Sequence, residues 1–284
     1  MTVLRYRLLN VFAEPGTPAY PLCGNALAVV EDASALDTHR MQAIARQFNL
    51  SETVFLLPSS KAAARLRIFS PDYELDFAGH PTLGSAEVVR ALHGCGDRFE
   101  LELNIGPLAL CATDSTWTLE AAAPRWRPLD AERSTIAAAL DLPPEAIEAP
   151  ALRVSCGTEQ ALVPLSSPEQ VLACRPSVAG LQQVFADDPV PATVYVFART
   201  EQGFESRFFW LQNGAVAEDP GTGSACANLG GWWLATGQPL PLRARIEQGR
   251  SSGRLNVLGL EVDRERRIFV SGTVVELGSG ELRL

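Results

Sequence analysis

The feature that most constrains the fold is an approximate internal repeat. Cys23–Val29 reads Cys-Gly-Asn-Ala-Leu-Ala-Val, and Cys156–Val163 reads Cys-Gly-Thr-Glu-Gln-Ala-Leu-Val, which matches it when one inserted residue is allowed. Each copy is followed, about 55 to 65 residues later, by a glycine-rich turn that enters a helical pattern. These turns lie at Gly79–Gly84 and Gly221–Ser224. The repeat predicts two similar halves, each with strands wrapped around a central helix.

The same repeat predicts where the chain divides. Its 284 residues exceed the usual size of one compact domain, and no linker-like stretch is present. We therefore expect a first half over residues 1–122 and a second half over residues 123–284. The last strand, at about residues 275–284, is expected to pack back onto the first half.

Hydrophobic periodicity predicts the elements of the first half. One helix is expected from about Leu36 to Phe48, with Leu36, Ile44 and Phe48 on one face. A second is expected from Pro81 to about His93, because proline suits a first helical position. The predicted strands are Leu4–Leu8, Ala26–Val30, Thr53–Leu57, Arg65–Phe69, Glu74–Phe77, Phe99–Leu103, Leu108–Cys111 and Trp117–Ala121.

Charge and composition exclude several function classes. The formal net charge is −9, and the 24 Lys and Arg residues are scattered, so nucleic acid is not an expected partner. Arg5 and Arg7 interrupt the N-terminal apolar pattern, and no apolar run approaches the ~20 residues that span a bilayer, so we expect a cytoplasmic protein without membrane contact. The cysteines are widely spaced, which favours reduced thiols over a metal site or disulfides. They are Cys23, Cys95, Cys111, Cys156, Cys174 and Cys226.

The glycine-rich turns are candidates for an anion site. Each begins a helix, the second running to about Ala235, and glycine there lets a ligand approach N–H groups at the positive end of the helix dipole. Neither turn has the residues of a phosphate loop or a dinucleotide fingerprint, so no cofactor is expected. A structural alternative stays open, in which Asp219 is an N-cap and the glycines only form tight turns.

Two side chains have the chemistry to move protons. His80 lies at a predicted helix start, where the dipole disfavours the imidazolium, so we expect a neutral ring. Glu52 lies between a helix C-terminus and an apolar strand, where partial burial would raise its pKa and let it take and return a proton near neutral pH. The alternatives are a structural histidine and a solvated glutamate. His39 and His93 fit surface positions.

Four segments together resemble the phenazine-biosynthesis isomerase family, the PhzF-like proteins. They are Cys23–Val30, Met41–Phe55, Phe69–Gly84 and Glu218–Ala225. Their order and spacing agree over nearly the whole chain. The resemblance implies an α+β fold like that of diaminopimelate epimerase, with two pseudo-symmetric halves, each a curved, mostly antiparallel sheet wrapped around a central helix. It also implies a homodimer.

The resemblance further implies an activity and the residues that perform it. A cofactor-independent isomerase of a small carboxylate-bearing substrate would use Glu52 to move the proton, with His80 and Asp219 completing the acid–base group. The residues implied to line the substrate site are Asn25, Ser51, Gly79, Gly223 and Ser224.

The chain also departs from its relatives at four positions. The related epimerases carry a cysteine at each glycine-rich turn, whereas the matching residues here are Gly79 and Pro220, so the two-thiol mechanism is not available. Proline is common at the position of Ala26 and alanine at the position of Gly221. These two changes leave the acid–base residues intact and leave the substrate unidentified.

The mechanism implied for Glu52 is the removal of a proton from a carbon next to a carboxylate or a conjugated system. The proton returns to another carbon or face, while the turn amides stabilise the charge. Two other hypotheses stay open. A cysteine-dependent epimerase or racemase would use Cys23 and Cys226, and a ligand-binding protein would keep the scaffold without catalysis.

Overall fold

A computed structural model of the chain describes residues 3–148, 150–186, 188 and 190–284. Contacts divide it into unit 1, Met1–Glu120 with Ser271–Leu284, and unit 2, Ala121–Val270. The boundary predicted at residues 122 and 123 lies two residues beyond the end of the first segment. The expected class, with extensive sheet and few helices, is confirmed within the described residues.

Unit 1 has two helices among its described residues, and most of its remaining residues lie in strands. The helices are α1 (Thr38–Phe48) and α2 (Gly79–His93). The strands are β1 (Val3–Val11), β2 (Asn25–Val30), β3 (Thr53–Leu57), β4 (Arg65–Phe69), β5 (Glu74–Leu75), β6 (Arg98–Leu103), β7 (Gly106–Thr113), β8 (Thr116–Glu120) and β17 (Ile268–Arg283), which belongs to unit 1 from Ser271 onwards.

The strands of unit 1 pair in a fixed succession. β1 is antiparallel to β2 and to β17, β2 is parallel to β3, and β3 is antiparallel to β4. β4 is antiparallel to β5 and parallel to β6, which is antiparallel to β7. A parallel pair needs a long crossover, and the two crossovers here contain α1 and α2. The helix positions therefore follow from the pairing.

Helix α2 packs closely against the strands of unit 1. It contacts β1, β2, β3, β4 and β8, and its buried side chains include Leu83, Val88 and Val89. A Cβ added at Gly84 would meet the Leu27 side chain and would lie 2.9 Å from Cγ2 of Val11. The last glycine of the first turn is therefore required for the approach of the helix to β1 and β2.

Unit 2 contains four α-helices and a short 3₁₀ turn within its described residues. The helices are α3 (Arg133–Ala139), α4 (Pro168–Ala173), α5 (Val178–Val184) and α6 (Gly223–Ala235), and the 3₁₀ turn is Pro144–Ala146. The strands are β9 (Arg125–Pro128), β10 (Leu152–Ser155), β11 (Glu159–Pro164), β12 (Thr193–Arg199), β13 (Gly203–Gln212), β14 (Ala215–Asp219), β15 (Leu242–Gln248) and β16 (Asn256–Val262).

The strand pairing of unit 2 has the same order as that of unit 1. β10 is antiparallel to β11, β11 is parallel to β12, and β12 is antiparallel to β13. β13 is antiparallel to β14 and parallel to β15, which is antiparallel to β16. The crossovers contain α4 with α5, and α6. A pseudo-symmetric arrangement of the two units around central helices stays a prediction.

Helix α6 is the most apolar of the described helices, with eleven of its residues buried. Cβ atoms added at Gly230 and Gly231 would lie 2.8 Å from Ile268 and 2.7 Å from Val154, so the helix lies close to the neighbouring strands. None of the described helices combines the length and the apolar character needed to cross a membrane.

Candidate active site

Glu52 lies between the end of α1 and the start of β3. The helix ends at Asn49, whose left-handed backbone (φ 53°) turns the chain, and asparagine tolerates that conformation better than most residues. Ser51 is exposed, whereas the Glu52 side chain is only 19% exposed. Thr53, the next residue, is completely buried. The carboxyl group therefore lies at the edge of the buried sheet.

His80 brings an imidazole to this carboxyl group. Its Nε2 lies 3.5 Å from Oε2 of Glu52. The residue is 5% exposed, and its ring packs edge to face with Phe12 at a centroid distance of 6.5 Å. A backbone hydrogen bond with Ala26 holds the ring on another side. Within unit 1, the structure therefore places Glu52 and His80 together.

The His80 ring is neutral at pH 7. Burial lowers its pKa to about 3, and this effect outweighs the hydrogen bond with Ala26, which raises the pKa. The prediction of a neutral ring is confirmed, with burial rather than the helix dipole as the main cause. A carbonyl can only accept, so the ring nitrogen that faces Ala26 carries the proton. Nε2 has no hydrogen bond to a described residue, so Nδ1 is that nitrogen and the Nε2 lone pair faces Glu52.

Helix α2 begins earlier than predicted. Its first residue is Gly79, and Ala78 is an extended N-cap, so Pro81 is the third helical residue instead of the first. The third position also lacks an intrahelical N–H partner, so proline is accommodated there as well. The N-cap makes no side-chain hydrogen bond, so the first N–H groups of α2 are not capped by a side chain. Asn25, the first residue of β2, is 3% exposed.

The N-cap residue at the second turn is Thr222 and not Asp219. Asp219 is the last residue of β14, and the N-cap of α6 is Thr222. The alternative in which Asp219 caps the helix is therefore wrong, because its side chain binds Thr222 before the helix begins. The Thr222 hydroxyl donates to Oδ2 of Asp219 at 2.5 Å, which leaves the first turn of α6 without a side-chain cap.

Gln248, at the end of β15, holds this turn in place. Its Oε1 accepts from the Thr222 N–H at 3.2 Å, and its Nε2 donates to the Asp219 carbonyl at 2.8 Å and to the Thr222 hydroxyl at 3.0 Å. The Gln248 side chain is fully buried. Since Thr222 receives this donor, its own hydroxyl hydrogen is directed to Asp219. Sequence reasoning missed Gln248, because it occupies an ordinary strand position without a local signal.

The other predicted residues of unit 2 form the first turn of α6. Gly223 is the first helical residue and is buried, and Ser224 is the second and is partly exposed. The Ser224 hydroxyl accepts from Nε2 of Gln160 at 3.0 Å. Gly221 precedes them, and a Cβ there would meet Asn256, including its Cβ at 3.0 Å. The Asn256 side chain therefore leaves room for glycine but not for a larger residue at position 221.

The buried thiols of unit 2 are unsuited to proton abstraction. All six cysteines are free, as predicted, and Cys23, Cys156, Cys174 and Cys226 are buried. Burial raises the pKa of Cys156 to about 12, and it raises the pKa of the completely buried Cys226 as well. Such thiols are protonated at pH 7, and only a thiolate acts as a base. Among the residues that the structure describes, no group of three or more His, Cys, Asp and Glu is placed to hold a metal ion.

Comparison with known proteins identifies the family. The family described as "Phenazine biosynthesis-like protein" (PhzC-PhzF) matches residues 11–280. An uncharacterized isomerase of Pasteurella multocida is 38% identical, over 99% of this chain and 95% of that protein. The trans-2,3-dihydro-3-hydroxyanthranilate isomerase of Pseudomonas aeruginosa is 35% identical, over 98% of this chain and 92% of its own length. A predicted epimerase of Pseudomonas aeruginosa has a solved structure with a TM-score of 0.82 at 30% identity, over 99% of both chains.

This chain belongs to the PhzF family of phenazine biosynthesis-like proteins. The predicted family is confirmed, and so is the prediction of an isomerase, the class to which the two sequence relatives are assigned. The structural match confirms the general fold. The substrate and the roles of individual residues stay predictions.

Proposed function

We propose that this chain is a cofactor-independent isomerase that shifts a proton on a small carboxylate-bearing substrate. Glu52 takes the proton from one carbon and delivers it to another, and His80 is its partner. Asp219 is the further acid–base group that the family resemblance implies. The common order of strand pairing supports the view that the two units repeat one fold, each wrapped around its own helix, α2 or α6.

The observation that carries this proposal is the pair formed by Glu52 and His80. A general base must be able both to receive and to release a proton. The neutral His80 directs the lone pair of Nε2 at Oε2 of Glu52, 3.5 Å away, so a protonated Glu52 has an acceptor at hand. The pair therefore gives the proton on Glu52 a neighbouring acceptor within the same unit.

The starts of α2 and α6 support the anionic character of the substrate. Neither helix has a side-chain cap, so N–H groups at the positive end of each dipole are available to a ligand. The name of the Pseudomonas aeruginosa relative at 35% identity specifies a dihydro-hydroxyanthranilate, which is a carboxylate next to a conjugated system. A substrate of this class matches uncapped helix starts and a carboxylate base.

Isotope exchange tests the proposal. With trans-2,3-dihydro-3-hydroxyanthranilate in D₂O, the isomerised product is expected to carry one solvent deuterium at the carbon that receives the proton. Glu52→Gln keeps the shape of the side chain and removes its basicity, so turnover is expected to fall by about 10²- to 10⁴-fold. The measurement is product formation and deuterium content by NMR.

Glu100→Gln is the matched control, because Glu100 is an exposed residue of β6 in the same unit. It is expected to keep wild-type turnover. Full activity of Glu52→Gln would refute the assignment of the base, and turnover without deuterium incorporation would refute the exchange with solvent. Loss of activity on thiol alkylation would instead support the cysteine hypothesis, which the raised pKa of the buried Cys226 thiol disfavours. The homodimer, like the cytoplasmic location, stays a prediction.

A further inference from the structure

Three polar side chains of unit 2 form a continuous hydrogen-bonded chain that ends at the candidate substrate site. Asn228, in the second turn of α6, binds Gln160 of β11, and Gln160 binds Ser224 at the start of the same helix. We call Asn228 and Gln160 the amide relay. Both are buried, with Asn228 completely enclosed and Gln160 3% exposed. Of the three, Ser224 alone reaches the surface.

The backbone fixes the orientation of Asn228. Its Oδ1 accepts from the Cys156 N–H at 2.7 Å, and its Nδ2 donates to the Thr158 carbonyl at 2.9 Å. A backbone N–H can only donate and a carbonyl can only accept. Rotating the amide by 180° would therefore break both bonds and place like groups against each other in a buried setting. The Nδ2 group must face Thr158 and, beyond it, Gln160.

Asn228 in turn fixes Gln160. The Oε1 of Gln160 accepts from Nδ2 of Asn228 at 2.8 Å. The opposite orientation would place two NH₂ groups in contact. Nε2 therefore points at Ser224, where it donates to Oγ at 3.0 Å. Two backbone groups at one end of the relay thus determine which atom meets the serine.

The consequence falls on the Ser224 hydroxyl. A hydroxyl has one hydrogen and two acceptor lone pairs, and Gln160 occupies one of the lone pairs without using the hydrogen. No other hydrogen bond joins this hydroxyl to a described residue, so its hydrogen is available to a ligand. Ser224 is also the second residue of the uncapped α6, so its hydroxyl and the nearby N–H groups have the same polarity.

We infer that Gln160 and Asn228 are positioning residues that keep the Ser224 hydrogen free for donation to an anionic oxygen of the substrate. The start of α6 then presents this hydrogen beside its backbone N–H groups, which favours a carboxylate over a neutral carboxamide or an amine. This inference rests on the proposed function and adds the source of its specificity. The residues of the relay do not themselves touch the substrate.

Gln160→Glu reverses the polarity at Ser224 with little change in shape. A carboxylate oxygen in place of Nε2 accepts from the Ser224 hydroxyl and turns it away from the ligand. With anthranilate as the probe, the Kd measured by calorimetry is expected to rise by about 10- to 100-fold, the range for a hydrogen bond to a charged group. The wild-type preference for anthranilate over anthranilamide is expected to shrink by a similar factor.

A double-mutant cycle with Ser224→Ala separates this effect from charge repulsion. If the relay acts through the hydroxyl, most of the effect of Gln160→Glu disappears in the Ser224→Ala background. If the new charge simply repels the ligand, the effect persists there, and the inference is overturned. Gln182→Glu, an exposed substitution on α5 with the same change of charge, is expected to leave Kd unchanged.

Gln160→Met covers the possibility that the buried carboxylate prevents folding. Methionine is neutral and of similar length, and it leaves the hydroxyl free to rotate, so a roughly 2- to 10-fold rise in Kd is expected. This rise should also vanish with Ser224→Ala, and an unchanged Kd or an additive cycle would contradict the relay. Deuterium exchange by the wild type tests the proposed function separately. If the wild type incorporates deuterium as expected but the double-mutant cycles are additive, the relay is refuted and the proposed function is not.

Discussion

At the scale of single residues, the burial of His80 makes the stability of the fold depend on pH. Burial lowers its pKa from the ordinary 6.5 to about 3, so between these values the unfolded chain binds a proton that the folded chain does not. The contribution of the neutral His80 ring to the free energy of unfolding is therefore fully present above pH 6.5. This contribution is lost as the pH falls towards 3, with a slope of up to about 1.4 kcal/mol per pH unit.

His80→Gln is expected to remove this dependence. Between pH 6 and pH 5, the wild type should lose about 1 kcal/mol more of its free energy of unfolding than the variant. Urea unfolding at both pH values measures the difference. His39→Gln, at an exposed position of α1, should behave like the wild type. Equal slopes for the wild type and His80→Gln would show that the ring is not buried in its neutral form.

Some site residues could be identified from the sequence and others could not. The two groups differ in their local sequence signals. Glu52 and His80 lie beside helix ends, which leave a recognisable pattern of apolar residues, glycine and proline. Gln160, Asn228 and Gln248 act through partners 26 to 72 positions away. No spacing along the chain indicates such contacts, because only the pairing of strands and the packing of α6 bring these amides to the turn.

At the scale of elements, strands with alternating or continuous apolar residues between polar turns were predicted with accurate limits. Thr53–Leu57 and Arg65–Phe69 are examples. Errors arose where hydrogen bonding decides the boundary. Helix α1 begins at Thr38 instead of Leu36, because the Asp37 side chain accepts from the N–H of Arg40 and caps the helix there. The glycine pattern located the second turn, but it did not show that Gln248 holds Thr222, the N-cap residue.

The second turn also explains why this chain carries glycine where alanine is common. Gly221→Ala is expected to clash with Asn256 and to lower the free energy of unfolding by about 1 to 3 kcal/mol, the usual effect of overpacking. Asn256→Ala added to it removes Oδ1 and Cγ, the two nearest clashing atoms, and leaves only the Cβ at 3.0 Å, so the double variant should be more stable than the sum of the single effects predicts. Thermal or urea unfolding of the four proteins gives the coupling.

Gly96→Ala provides the comparison, because a Cβ there meets nothing within 4 Å. It should change the stability by less than about 0.5 kcal/mol. Strict additivity of Gly221→Ala and Asn256→Ala would contradict the proposed match between the two residues. The turn would then accommodate the added methyl group by a shift that does not involve Asn256.

At the scale of the whole molecule, the repeat in the sequence corresponds to an order of strand pairing that both units share. The matched segments, Cys23–Val29 and Cys156–Val163, lead into β2 and β11, and each of these strands has one antiparallel and one parallel neighbour. A short match therefore indicated the plan of both units. The last strand, expected at about residues 275–284 to pack back onto the first half, corresponds to Ser271–Leu284, which belongs to unit 1.

This return makes unit 1 depend on the end of the chain. In β17, the segment from Val274 to Arg283 pairs with the whole of β1, and the Ala13 N–H donates to the Thr273 carbonyl at 3.0 Å. A chain that ends at Val270 loses these bonds and the burial of Val274, which alone contributes about 1.5 to 3 kcal/mol. Hydrogen exchange at Ala13 and along β1 should accelerate strongly, while amides in β12 and β13 of unit 2 should change far less.

A chain that ends at Gly280 distinguishes loss of the strand from general destabilisation. It keeps the pairs from Tyr6–Gly280 to Val11–Val274, so the Ala13 amide should stay protected while the first residues of β1 exchange faster. Equal acceleration in both units for the shorter chain would mean that they unfold as one cooperative body. Protection confined to the paired part of β1 would instead show that closure by β17 stabilises unit 1 locally, because each amide is protected only by the strand that accepts its bond.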